Sequence, residues 1–142
     1  MKTVKHLLST KSANIFSVPA NTSVLTALQV MMEKNISALL ILEERKLLGI
    51  FTERDYARKI ILQGKASVDT LLSEVMTAEP ITVSPEDSLD HCMQTMTDKH
   101  IRHLPVIQEN QLIGMVSIGD VVKFIMEDQK QTISQLESYI SS

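Results

Sequence analysis

The sequence contains one pattern twice. Sliding the 142-residue chain against itself by 65 positions lays residues 17–55 over 82–120 without a gap, and 11 of the 39 pairs are identical. Val18/Val83, Ser23/Ser88, Met31/Met96, Ile36/Ile101, Leu39/Leu104, Gly49/Gly114 and Asp55/Asp120 are among them. The apolar pattern agrees further at Ala27/Cys92, Ile41/Val106 and Phe51/Val116. A fixed internal period marks a repeated supersecondary unit. The chain length then suits two half-size units that share one core.

Each unit reads as strand, helix, strand, strand, helix. A short extended piece (Phe16–Val18, Ile81–Val83) meets a turn at Pro19 or Pro85, and Ser23 or Ser88 stands where a helix N-cap belongs. Val24, Ala27, Leu28 and Met31 follow at the spacing of one helical face, as do Leu89, Cys92, Met93 and Met96. Ala38–Leu42 and Leu104–Ile107 are apolar runs too short for helices and read as buried strands. Polar turns at Glu43–Lys46 and Gln108–Gln111 send the chain back through Leu47–Thr52 and Leu112–Ser117. A second helix starts near Asp55 or Asp120. A helical crossover followed by a hairpin gives a small mixed sheet with helices beside it, an α/β (α+β) fold.

The flanks say less. Val4–Leu8 reads as a short helix, and Leu71, Leu72, Val75 and Met76 as a half-buried helical turn in the linker. From Asp120 onward, Val121, Phe124, Ile125, Ile133, Leu136, Tyr139 and Ile140 mark an amphipathic helix that outlasts the repeat.

Composition removes several classes. Hydrophobic residues make up 44% and charged residues 22%, which excludes wholesale disorder. A single cysteine, Cys92, rules out an internal disulfide framework, and its place on an apolar helix face reads as a buried thiol. The longest strictly apolar run, Ala38–Leu42, falls far short of the ~20 residues that span a bilayer. No signal-like apolar core follows Met1-Lys2-Thr3-Val4-Lys5-His6, so the expectation is a cytoplasmic protein away from membranes. A net charge of −3 argues against sequence-independent nucleic-acid binding. His91, His100 and His103 lack zinc-motif spacing, so no metal site is expected.

The chemistry concentrates where each second helix opens, at Gly49-Ile50-Phe51-Thr52-Glu53-Arg54-Asp55 and Gly114-Met115-Val116-Ser117-Ile118-Gly119-Asp120. A hydroxyl and a carboxylate three residues apart form a capping box that satisfies orphan helix N–H groups. The same groups also suit a ligand, because a helix start favours phosphate and a carboxylate accepts from ribose hydroxyls. The glycine admits a close backbone approach or marks a bulge. Arg102 and His103, as strand neighbours, point to opposite faces, and solvation or phosphate contact remain open for both.

Two tandem copies ending in Gly-hydrophobic-x-Thr/Ser-x-x-Asp resemble a pair of cystathionine β-synthase (CBS) domains. Ile36-Ser37-Ala38-Leu39-Leu40-Ile41 and Ile101-Arg102-His103-Leu104-Pro105-Val106 resemble the family's second-strand segment, and Val75-Met76-Thr77 its linker. Thr52–Lys59 and Ser117–Val122 resemble stand-alone bacterial CBS-pair proteins. The resemblance covers residues 15–127 and implies a pseudo-twofold module of two βαββα repeats with flanking N- and C-terminal helices. Residues 15–64 would be the first repeat, 65–79 the linker, 80–127 the second repeat and 128–142 a C-terminal helix.

The resemblance further implies two clefts, each mixing the repeats, for adenosine-containing ligands such as AMP, ATP, NAD or S-adenosylmethionine. Cleft one would hold Thr52, Arg54 and Asp55 with Ile101, Arg102, His103 and Leu104. Cleft two would hold Ser117 and Asp120 with Ile36, Ser37, Ala38 and Leu39. Both aspartates would take ribose hydroxyls and both hydroxyls would face phosphate or ribose. Val18, Ile36, Val83 and Ile101 would sandwich the adenine. Leu40 stands where the family pattern, kept by Pro105, has proline. With Arg54 and Arg102 against Gly119 and Ser37, cleft one is expected to be the better phosphate site.

Three functions compete. The first is a regulatory module that senses adenine nucleotides (AMP, ADP, ATP or NAD(H)) without a catalytic cofactor. The second is an enzyme, set aside because no nucleophile can be placed with a paired base. The barrel of related dehydrogenases, about 250 residues, also exceeds the chain. The third is a non-catalytic dimerisation or protein-interaction scaffold with vestigial clefts. A homodimer is expected through apolar helix faces, and the sequence names no protein target.

Overall fold

The computed structural model describes residues 1–11 and 15–141. In chain order the elements are α1 (Val4–Leu8), β1 (Ser17–Val18), α2 (Val24–Lys34), β2 (Ala38–Glu43), β3 (Lys46–Thr52) and α3 (Glu53–Asp55). A π-helical stretch, Tyr56–Ile61, continues α3. Then come α4 (Leu72–Val75), β4 (Thr77–Ala78), α5 (Leu89–Lys99), β5 (His103–Gln108), β6 (Gln111–Ser117) and α6 (Ile118–Ser141).

The two repeats follow one path because equivalent residues make equivalent bonds. Ser23 Oγ accepts from the Thr26 N–H (3.1 Å) and Ser88 Oγ from the His91 N–H (3.0 Å), so both crossover helices start on a serine cap. Both end on a left-handed residue, Asn35 (φ 54°) and His100 (φ 56°). Each hairpin turns on two residues with positive φ, Glu44–Arg45 and Glu109–Asn110, the geometry that matches strand twist. A register shift falls at Ile41/Leu42 in one hairpin and Val106/Ile107 in the other. Gly49 and Gly114 lie opposite those bulges, paired with Ile41 and Val106.

The first sheet has the order β1-β2-β3-β4, with β1 parallel to β2 and the remaining pairs antiparallel. The second sheet is the β5–β6 hairpin. The expected strand at Ile81–Val83 is cut to a single parallel bridge, Val83 to Val106. Pro105 explains the loss. In the first repeat the Leu40 N–H donates to the Phe16 carbonyl (3.3 Å), and proline at the equivalent place has no N–H to give.

The linker and the N-terminal segment serve as more than connections. Val4 and Leu7 of α1 are buried in the second repeat's core, among Val83, Leu89, Cys92, Met96 and Leu104. Leu72 and Val75 of α4 are buried in the first repeat's core, among Val24, Ala27, Leu39 and Phe51. The bonds match as well: Val4 N–H to Asp87 O (2.9 Å) mirrors Leu72 N–H to Thr22 O (2.8 Å). Each repeat's leader therefore completes the other repeat. A third apolar cluster, Ala38, Leu40 and Ile50 against Leu112 and Met115, joins the two sheets. The second repeat's last helix and the expected C-terminal helix are one unbroken element, α6, across residue 128; Ser142 lies outside the described residues.

Candidate functional site

Both hydroxyl–carboxylate pairs form the capping box that the spacing predicts. In the first repeat the Thr52 N–H donates to Asp55 Oδ2 (3.0 Å) and the Asp55 N–H to Thr52 Oγ1 (3.1 Å). In the second the Ser117 N–H donates to Asp120 Oδ2 (3.0 Å) and the Asp120 N–H to Ser117 Oγ (3.0 Å). Beyond the cap the two carboxylates differ.

Asp55 is enclosed, its side chain only 12% exposed. Its Oδ1 accepts from Thr77 Oγ1 (3.2 Å) and lies 3.2 Å from the Lys59 ammonium, one turn along the π-helical stretch. The guanidinium of Arg54 donates to the His100 carbonyl at the left-handed end of α5, so it bridges the repeats. Arg102 is exposed just before β5. These contacts engage Thr52, Arg54 and Asp55, three of the seven residues expected to form cleft one.

Asp120 instead opens on a cavity of about 400 Å³ with 32% of its side chain exposed. Both repeats contribute walls: Asn35, Ile36, Ser37 and Ala38 from the first, His103, Gly114, Met115, Ser117 and Asp120 from the second. Leu8, Lys11, Ile15, Phe16 and Ile113 complete it. Five of the six residues expected in cleft two line this space. Leu39, the sixth, is fully buried in the first core.

Five other expected residues place their side chains differently. His103, expected in cleft one, lines cleft two, where its Nε2 lies 3.3 Å from Ser37 Oγ. Leu104 and Val83 are buried in the second core, so their side chains belong to packing. Val18 and Ile101 are half-buried against the two cores, which leaves Ile36 as the adenine-sandwich candidate that lines the cavity.

Cleft two also holds a cation that the motifs did not show. Lys11 Nζ donates to Asp120 Oδ2 (2.7 Å) and to the Met115 carbonyl (2.8 Å). The segment that carries it matches the linker only at a second internal offset, 68 residues, which lays Val4, Leu7, Leu8 and Ser9 over Leu72, Val75, Met76 and Thr77 but Lys11 over Glu79. The three-residue difference hides it from an ungapped comparison. Asn35 enters the wall because it caps α2 in the left-handed region, where asparagine is tolerated.

The electrostatics follow from this arrangement. Burial raises the Asp120 carboxyl, but the Lys11 ion pair and the Ser117 N–H outweigh it and hold the group below its ordinary value of 3.8. Burial lowers His103 from 6.5, assisted by Lys11 and Arg102 and opposed by Asp120, so the ring is neutral at pH 7. Cys92 is pushed up to about 11 by burial and then by Asp87, which makes it an inert core thiol. A larger hollow of about 720 Å³ lies between the hairpin tips, lined by residues such as Glu44, Arg45, Glu79 and Asn110. No motif residue reaches it, so chemistry rather than size selects cleft two. No group of three or more metal-ligating side chains occurs among the described residues. None of the described helices is long and apolar enough to cross a membrane.

Comparison with known proteins agrees with this fold. The CBS domain family model matches residues 4–62 and 72–127. The mitochondrial CBS domain-containing protein CBSX3 of Arabidopsis thaliana is 45% identical over 123 residues, 83% of this chain and 60% of that protein. The chain thus spans only about three fifths of that relative. The CBS domain-containing protein YhcV of Bacillus subtilis is 34% identical over 85% of this chain and 84% of its own length. Among solved structures, a putative signal-transduction protein with CBS domains from Burkholderia ambifaria superposes with a TM-score of 0.86 at 44% identity, covering 90% of this chain and 96% of that one. The CBS domain pair of protein MJ0100, solved with 5′-methylthioadenosine and S-adenosyl-L-methionine, gives 0.78 at 27% identity, covering 90% and 98%. With both repeats matched and the fold shared, the chain belongs to the CBS domain family as a tandem pair.

Proposed function

We propose that this CBS pair is a regulatory module that senses an adenosine-containing small molecule, AMP, ADP, ATP or NAD(H), in cleft two. The observation that carries this reading is the cavity itself. It joins a carboxylate and a hydroxyl at the start of α6 to an apolar wall that includes Phe16 and Ile36. A flat base suits the apolar part and a ribose diol suits Asp120, whereas Asp55 is already enclosed by Thr52, Thr77 and Lys59. The adenosine-derived ligands of the MJ0100 pair support the ligand class.

A thermal-shift panel of AMP, ADP, ATP, NAD, NADH, S-adenosylmethionine and 5′-methylthioadenosine tests it. A ligand at 100 times its dissociation constant adds about 2.7 kcal/mol of stability, a readily visible shift. A panel with no shift, and nothing co-purifying, would move the protein to the scaffold reading.

The same protein is proposed to form a homodimer through α6. Val122, Met126, Ile133, Leu136 and Ile140 are exposed, and with Gln129 they follow alternating steps of four and three, the spacing of a two-helix seam.

A further inference from the structure

Lys11 stands at the centre of cleft two yet belongs to neither motif. Among the described residues it is the one basic side chain of lysine or arginine type that lines the cavity. Its ammonium has two oxygen partners there, Asp120 Oδ2 at 2.7 Å and the Met115 carbonyl at 2.8 Å. The same Asp120 oxygen also accepts from the Ser117 N–H, so three groups converge on the carboxylate if a ribose diol arrives. A diol that donates to Asp120 shares the carboxylate with the ammonium and draws on the charge that pairs it. With that pairing weakened, the ammonium keeps the Met115 carbonyl beside Leu8, Ile15 and Phe16, and a partly desolvated cation favours a second anion. The start of α6 is uncrowded, since a Cβ built on Gly119 would stand at ordinary contact distance, 3.8 Å, from Ser117 Oγ. In cleft one the side chain at that position, Arg54, reaches across to His100.

We propose that Lys11 sets the specificity of cleft two: it selects adenosine ligands with an anionic phosphate on the ribose and disfavours neutral or cationic analogues. This rests on the reading that an adenosine ligand takes Asp120. The ribose and the phosphate act together, the diol drawing on the Asp120 carboxylate and the phosphate pairing with the lysine. A neutral nucleoside makes the first contact and leaves the second unmade. Ser37 and the neutral His103 ring supply hydrogen-bonding groups to the same wall without adding a second charge.

Calorimetry of the full chain with AMP and with adenosine tests the proposal in wild type, Lys11→Met, Lys11→Gln and Lys11→Arg. Wild type is expected to prefer AMP by about tenfold or more. Lys11→Met should bring the two ligands within about twofold of each other. Lys11→Arg keeps the preference. Lys11→Gln, which retains a donor without the charge, should lose it and serves if the methionine variant folds poorly. An undiminished preference in the uncharged variants overturns the proposal, and so does a wild type that binds both ligands equally. A wild type that binds neither overturns the adenosine reading itself, so the two failures are distinct.

Discussion

Asp55 and Asp120 occupy equivalent places, yet each receives its lysine from a different direction. Lys59 comes from the helix that Asp55 itself opens, while Lys11 comes from the N-terminal leader. The repeat made both acids and both capping hydroxyls legible, because equal spacing gives equal caps, while Ser37 and Ala38 were legible only through the family resemblance. It left Lys11 unseen, since the leaders repeat at another offset, and it misplaced His103, whose ring turns toward Ser37. That ring gives a pH signature. With its folded pKa below 6.5, the unfolded chain binds a proton first, so stability present above pH 6.5 is lost as pH falls toward the folded value. Asp120, depressed below 3.8, adds its loss only under stronger acid, as pH falls below that value. Urea titrations at pH 7 and pH 5 should show wild type weakening and His103→Gln weakening less. Equal declines would mean that the imidazole does not titrate in this environment.

At the scale of elements, the sequence made strands and capped helices readable because their signals are local: serine caps, apolar runs and turn residues. What it overestimated was the strand at Ile81–Val83, which depended on whether its neighbour had an N–H to offer. The glycines show a finer asymmetry. A Cβ at Gly49 would meet Met76 Sδ at 2.7 Å and the Thr77 carbonyl at 2.8 Å, and the carbonyl is β4 backbone that cannot step aside alone. A Cβ at Gly114 would meet the Leu8 side chain at 3.0 Å, which can shift. Gly49→Ala should therefore cost about 1–3 kcal/mol and Gly114→Ala distinctly less, checked by denaturant melts. The α6 seam makes a second prediction. Light scattering at micromolar concentration should give twice the 15.9 kDa chain mass, reduced to one by the double change Leu136→Glu and Ile140→Glu. A wild-type monomer would remove the dimer.

Across the whole molecule the crossed leaders decide how the pair behaves. Leu7 of the N-terminal segment is 1% exposed inside the second repeat, and Leu72 of the linker is 0% exposed inside the first. Neither repeat is complete without a segment that precedes the other, so the module should unfold in one transition. Leu7→Ala and Leu72→Ala should each lower that single transition by about 2–5 kcal/mol. Two separated transitions in either variant would show that the repeats stand alone. This exchange was not legible in the sequence, because Val4–Leu8 and Leu71–Met76 carry apolar spacing but nothing that says which core receives them.

The central claim, that the pair senses its ligand through the open carboxylate of cleft two, is tested most directly by AMP calorimetry on Asp120→Ala and Asp55→Ala. Asp120→Ala should abolish measurable binding, while Asp55→Ala, whose carboxylate is closed in by its own neighbours, should bind AMP with an affinity close to wild type. AMP binding that survives Asp120→Ala and disappears in Asp55→Ala would contradict the account and place the ligand in cleft one.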